Sequence, residues 1–260
     1  MLSTMNLKRV LRHWLSIPKA DHHMVPDIYG RSASKMTDIR SDTNFLKLAD
    51  SARANRRTLL YYDRLHTIYQ SLRNLDRLIP KNEVLRAAEI GVYKGGGSYF
   101  ISSVLENLGR QAEHFAVDTF EGHSVQDLPL GHEGGHVPKQ FDKTDFEDVQ
   151  AYLARFPTTT VIKGRIQDAA KKLGPSPFHF LHLDMDIYEP TLFALNEYVT
   201  RMGVGGVVVI DDYGFTTCPG IKKAVDEYLE TTSGFLRLEL LTGQCILIKL
   251  RDETQKEASV

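Results

Sequence analysis

Cysteine is nearly absent from this chain: Cys218 and Cys245 are the only two among 260 residues, and they lack a metal-ligand spacing. That usage excludes a disulfide framework and fits a reducing compartment, so a cytoplasmic protein is expected. Long apolar runs are missing as well. Lys8, Arg9, Arg12 and His13 interrupt the first twenty residues, unlike the continuous apolar stretch of a signal peptide, and nothing elsewhere approaches transmembrane length. Charge of one sign is also lacking, because 32 Lys/Arg stand against 33 Asp/Glu. The balance gives no global argument for nucleic acid or membrane binding, and neither partner is expected. Internal repeats and low-complexity tracts do not occur.

What is present is unevenly spread. Residues 1–80 carry 14 Lys/Arg against 7 Asp/Glu, whereas the remainder carries 18 against 26. A basic segment ahead of an acidic body suggests packing on that body or on a partner subunit, and a homo-oligomer is expected. Residues 1–56 are polar, weakly periodic and broken by Pro18 and Pro26. From Arg57 to Leu78 the pattern sharpens: Leu65, Ile68, Tyr69, Leu72 and Leu75 recur at three and four, predicting an amphipathic helix ended by Pro80. Short apolar runs then alternate with helical stretches. Strands are predicted at Val84–Ile90, His114–Asp118, Thr159–Lys163, Phe178–Asp184 and Val207–Asp211. Helices are predicted at Ser98–Leu108, Phe146–Phe156, Asp168–Leu173, Thr191–Arg201 and Ile221–Thr231.

This alternation predicts an α/β fold with a doubly wound, mostly parallel sheet. Phe235–Leu241 and Cys245–Leu250 add an antiparallel C-terminal edge hairpin. The expected organisation is an N-terminal helical extension over 1–80, a ligand-binding α/β domain over 81–250 and a tail over 251–260. Pro129 to Lys143, rich in Gly and His, reads as a long loop and a candidate lid.

Three places carry chemistry. Glu89-Ile-Gly-Val-Tyr-Lys-Gly-Gly-Gly-Ser98 follows the first strand and opens a helix, where glycines let the backbone turn tightly and approach a ligand. Its spacing is not the G-x-G-x-x-G of dinucleotide folds. Asp118 ends the second strand, where an acid can accept ribose hydroxyls. Together they point to a nucleoside; a pyrophosphate is disfavoured because Glu89 would repel it. The third place is acidic: Asp184-Met-Asp186 ends the fourth strand and Asp211-Asp212 the fifth. Adjacent carboxylates at strand tips repel unless a cation lies between them, and oxygen ligands suit a hard divalent ion. Turn chemistry is the simpler alternative for the Asp211-Asp212-Tyr-Gly214 run.

Two patterns fail on inspection. An EF-hand starting at Asp184 would need Gly and Glu where Glu189 and Leu195 stand. His132-Glu-Gly-Gly-His136 matches H-E-x-x-H, but that motif works on a helix, and two central glycines between Pro129 and Pro138 oppose one. A mobile loop with substrate-contacting histidines is the expected reading there.

Five ordered segments resemble the macrocin-type O-methyltransferases (the TylF/MycF/NovP group). They are Glu89-Ile-Gly-Val-Tyr-Lys-Gly-Gly96, Val117-Asp-Thr-Phe-Glu-Gly122, Lys163-Gly-Arg-Ile-Gln-Asp168, Leu183-Asp-Met-Asp-Ile-Tyr-Glu-Pro-Thr191 and Gly205 to Gly214. Met185 stands where the family more often has glycine, and Pro190 where it has serine. The resemblance implies a class I methyltransferase-like fold that uses S-adenosylmethionine and Mg²⁺ to methylate a hydroxyl of a small-molecule acceptor, a sugar moiety of a natural product. It further implies that Glu89, Gly91 and Ser98 line the methionine end of the cofactor, Asp118 holds the ribose and Asp168 lies near the adenine. Val92, Tyr93, Thr119, Gly164 and Asp184 complete the implied cofactor set. Asp184, Asp211 and Asp212 would bind the metal, with Asp184 as general base and His182 or a loop histidine in reserve. Two rival readings stay open on the residues alone: a D-x-D sugar-nucleotide glycosyltransferase, and a nucleoside-binding protein without turnover.

Overall fold

The computed structural model describes residues 39–131 and 133–252. The first 38 residues of the basic segment, His132 and the tail beyond residue 252 lie outside the described residues. Within them, seven strands form one sheet: β1 (Leu85–Ile90), β2 (Ala112–Asp118), β3 (Thr159–Lys163), β4 (Phe180–Leu183), β5 (Val207–Ile210), β6 (Phe235–Glu239) and β7 (Cys245–Lys249). Their order is β3-β2-β1-β4-β5-β7-β6. The first five run parallel, and β7 inserts antiparallel between β5 and β6. The doubly wound sheet with its reversed edge hairpin is therefore as the alternation predicts.

Every residue of β4 and of β5 is buried, the pattern of a parallel strand covered on both faces. One face lies under α1 (Thr43–Arg53), α2 (Tyr62–Leu78) and α3 (Gly96–Leu108), where Phe45, Leu65, Ile68, Leu72 and Phe100 pack on Ala87, Phe180 and Val209. The other lies under α5 (Ile166–Leu173), α6 (Tyr188–Ala194) and α7 (Pro219–Thr231), with Ile166, Ala194, Ile221 and Val225 against Ala88, Leu181, Val208 and Ile210. A short α4 (Phe146–Leu153) follows the long β2–α4 loop. Each fully buried Leu or Phe contributes about 1.5–3 kcal/mol, so the α2 stripe alone anchors that helix to the sheet.

Three differences from the sequence reading have physical causes. Helix α1 was not expected. Its buried positions are Phe45, Ala49 and Ala52, and alanine gives little hydropathic contrast; Asp42 starts the helix by accepting from the Phe45 N–H. Helix α6 begins three residues early, since Pro190 falls in its first turn, where no N–H is needed. Strand β4 stops at Leu183, not Asp184, so strand alternation does not set the relative directions of Asp184 and Asp186. Asp186 has φ +63, a left-handed turn rather than extended chain.

Candidate active site

The sheet reverses its winding between β1 and β4, and ligands in open α/β sheets bind beyond the carboxyl ends of strands at that point. A cavity of about 440 Å³ opens there, large enough for a small-molecule ligand. Gly91 closes one side. Its φ is +92°, and a Cβ at that position would lie 1.8 Å from the Asp184 carbonyl oxygen, so only glycine fits.

Asp118 locks the turn that follows. Its Oδ2 accepts from the N–H groups of Val92 (2.7 Å) and Tyr93 (2.8 Å), and its Oδ1 from that of Phe120 (2.7 Å). Thr119 Oγ1 also lies 3.4 Å from Oδ1, so the roughly four acceptor positions of the carboxylate are taken up within the turn itself. Glu89 is buried, with Oε1 2.9 Å from His182 Nδ1 and Oε2 accepting from Ser98 Oγ at 2.5 Å.

The acidic side is built differently. The Asp184 N–H donates to the Ile90 carbonyl and the Asp211 N–H to the Leu183 carbonyl, both at 2.8 Å, so the two residues leave neighbouring strand tips in register. Asp212 then turns at φ +57, which ends the alternation and brings both members of the pair to one point. Carboxylate oxygens of Asp184, Asp211 and Asp212 lie within 4.8 Å of one another. Arg64, in the first turn of α2, reaches into this group. Its Nη1 donates to Asp211 Oδ2 and, at 3.3 Å, to Asp212 Oδ1. Gln244 Nε2 donates to Asp211 Oδ1 at 2.7 Å.

Burial, reinforced by Asp211 and Asp212, pushes the Asp184 carboxyl well above its ordinary range. Burial likewise raises Asp186, helped by Asp212, with which it shares a hydrogen bond. Asp211 is raised by burial and held back by the Arg64 guanidinium. Burial disfavours the Arg64 charge, yet Asp211, Asp184 and Asp212 outweigh it and raise its pKa.

The loop 119–145 forms the remaining wall. Within the described part of the H-E-x-x-H segment, residues 133–136, Glu133 and His136 form a β-bridge rather than a helical turn, and the Glu133 carboxylate caps α6 through the Tyr188 N–H at 2.9 and 3.1 Å. His136 and His123 face each other, Nδ1 to Nε2, at 3.0 Å, and His136 Nε2 lies 3.3 Å from Cys218 Sγ. Burial lowers both imidazoles, His123 to about 4.

The cavity wall brings together Glu89, Gly91, Val92, Tyr93, Asp118, Thr119, Gly164, Asp184 and Asp212. It does not include Ser98, Asp168 or Asp211. Ser98 is buried behind Glu89, and the Asp168 side chain is 69% exposed beside Arg165. His182 is fully buried under the sheet tip and absent from the wall, which removes it as a base that touches an acceptor. Sequence reasoning missed Arg64, Asp127, Arg165 and Gln244. Arg165 pairs with Asp127 at 2.6 Å on the wall near Gly164. No local motif marks Arg64, Asp127 or Gln244, and Arg165 lies within the Lys163–Asp168 segment without being singled out there.

Strand order, reversed seventh strand and glycine turn define the class I methyltransferase type of α/β fold. Two solved structures share it: the O-methyltransferase NovP (TM-score 0.64, 22% identity, 79% of this chain and 88% of that one) and the SAH-bound Podospora anserina methyltransferase PaMTH1 (TM-score 0.51, 14% identity, 97% and 98%). Residues 58–235 match the macrocin-O-methyltransferase (TylF) family, and the chain belongs to it. Among curated relatives, the 8-demethyl-8-(2,3-dimethoxy-alpha-L-rhamnosyl)-tetracenomycin-C 4'-O-methyltransferase of Streptomyces olivaceus is 30% identical over 152 residues, 54% of this chain and 56% of that protein's length. The demethyldecarbamoylnovobiocin O-methyltransferase of Streptomyces niveus is 27% identical over 197 residues, 67% and 68% of the two lengths. Among the described residues no helix is long and apolar enough to cross a membrane.

Proposed function

We propose that this protein transfers a methyl group from S-adenosylmethionine to a hydroxyl of a small metabolite, a sugar moiety of a natural product, with Mg²⁺ held by Asp184, Asp211 and Asp212. One observation carries the reading: three carboxylates from adjacent strand tips converge beside a cavity that the glycine turn also lines. Family membership supports O-methylation, and the rhamnosyl group in the name of the Streptomyces olivaceus relative supports a sugar hydroxyl. The same membership tells against a D-x-D glycosyltransferase.

The residues fit a hard cation. All three ligands are oxygens, and Arg64 already supplies positive charge to two of them, as a crowded acid cluster requires. Bound there, Mg²⁺ would stabilise an alkoxide and orient vicinal oxygens. The need is quantitative. An alcohol with a pKa near that of water, ~16, and a carboxylate near ~4 differ by about 16 kcal/mol for complete proton transfer, at ~1.4 kcal/mol per unit. In the cation-free cluster, burial among like charges raises the affinity of Asp184 for a proton, whereas a cation bound there would lower it, which tells against Asp184 as the sole base. Gly91 and the Asp118-locked turn would hold the cofactor rigidly for in-line attack. His136, kept neutral by burial and present on the wall, is the reserve base.

The test is S-adenosylhomocysteine release over a panel of sugar and phenol acceptors, with and without EDTA, alongside calorimetry of S-adenosylmethionine and UDP-sugars. Turnover lost in EDTA and restored by Mg²⁺ is expected. Unchanged turnover in EDTA would remove the metal; cofactor binding with no product from any acceptor would favour a non-catalytic protein.

A further inference from the structure

We infer that His123, His136 and Asp186 form a second cation site, beside the three-aspartate cluster and joined to it by the Asp186–Asp212 hydrogen bond, and suited to a borderline divalent ion such as Zn²⁺. A ring nitrogen of each histidine and a carboxylate oxygen of Asp186 lie within 4.8 Å of one another. Donor chemistry separates this group from its neighbour. Imidazole nitrogens suit Zn²⁺, Co²⁺, Ni²⁺ and Fe²⁺, whereas Mg²⁺ takes oxygen ligands.

Geometry points the same way. His123 Nε2 and His136 Nδ1 are 3.0 Å apart. Two nitrogens on a tetrahedral zinc, at bonds of ~2.0–2.1 Å, stand ~3.3–3.4 Å apart, so a shift of a few tenths of an ångström admits the ion. The outer partner is in place as well. His136 Nε2 lies 3.3 Å from the buried Cys218 sulfur, which orients the ring and leaves Nδ1 for the metal. Asp186 delivers its carboxylate from a left-handed backbone position that a non-glycine residue adopts only at some cost. Three protein ligands leave a fourth position open, the pattern of sites that admit water or substrate.

The two histidines come from the loop 119–145 and the acid from the β4–α6 turn. A bound ion would staple the loop across the cavity and would occupy both imidazoles, leaving neither free as a base. The competing account of the same contacts is a metal-free hydrogen-bonded relay through His123, His136 and Cys218. Neither account depends on the methyl-transfer reading.

The experiment is a Co²⁺ titration of metal-stripped full-length protein in saturating Mg²⁺, followed by visible absorption. One equivalent is expected to give ligand-field bands, and the bands should persist in Asp211→Asn. His123→Ala, at a half-buried position whose loss folding should tolerate, is expected to weaken Co²⁺ binding about tenfold or more. Zn²⁺ should slow proteolysis of the loop in the wild type and not in His123→Ala. Absence of the bands, their displacement by Mg²⁺, or Co²⁺ binding unchanged in both His123→Ala and His136→Ala would overturn the site in favour of the relay.

Discussion

The two halves of the cavity handle carboxylates in opposite ways. On the glycine-turn side, Asp118 and Glu89 have their oxygens taken up by backbone N–H groups, a serine and a histidine. On the β4–β5 side, Asp184, Asp186, Asp211 and Asp212 crowd one another, and Arg64 and Gln244 answer only part of that charge. A satisfied carboxylate is a brace, while a crowded one stores a demand for a cation or a proton. The lesson is that an acid's partners, more than its position at a strand tip, separate scaffold from chemistry.

The comparison breaks first at Asp184. Asp184→Asn should lower turnover by about 10²–10⁴-fold while leaving S-adenosylmethionine affinity within a few-fold. Equal loss of both in kinetics and calorimetry would make Asp184 a brace like Asp118. Next, Gly91→Ala should destabilise the fold by about 3 kcal/mol in urea titrations, since its Cβ meets a carbonyl and its φ is positive. A normal midpoint would show that the satisfied half is softer than its hydrogen bonds suggest.

Arg64→Met keeps the stem and removes the charge. With no guanidinium competing for the acids, Mn²⁺ should bind about tenfold tighter by calorimetry, a conservative share of the Coulomb energy of one such pair. Unchanged affinity would mean that Arg64 and the metal do not contend for the same oxygens. The smallest effect near neutral pH concerns His114 on β2, which burial holds at about 3 against its ordinary 6.5. The unfolded chain takes up that proton first, so stability is intact above about pH 6.5 and falls as pH drops towards 3. The slope is ~1.4 kcal/mol per pH unit for this one group, and His114→Asn should flatten it by about one proton in thermal melts at stepped pH.

Much of the fold was legible because buried parallel strands such as Val207 to Ile210 are apolar throughout and bounded by glycine. The convergence of Asp184, Asp211 and Asp212 was legible for a related reason: charge at the end of such a run has few explanations. Arg64 was not. It lies 147 residues before Asp211, on a helix whose apolar stripe announces only packing, and nothing local distinguishes it from its exposed neighbours. Helix α1 escaped because alanines bury well yet signal weakly. The role of Glu133 was hidden by its resemblance to a zinc motif; its actual work, capping α6, depends on a contact 55 residues away.

The antiparallel insertion of β7 also bears on how the molecule is made. Among the described residues, Gln244, at the β6–β7 turn, is the latest in chain order to bond the acid cluster, and it does so through the buried Asp211. Strand β5 gains its second neighbour only when β7 arrives. A nascent chain that has emerged through Asp212 therefore carries the glycine turn and all four acids, yet has an open strand edge and an Asp211 held by Arg64 without Gln244. During synthesis the cofactor half can be in place before the acidic half is competent, and ribosome-bound chains arrested before and after residue 244 would separate the two by their cation binding.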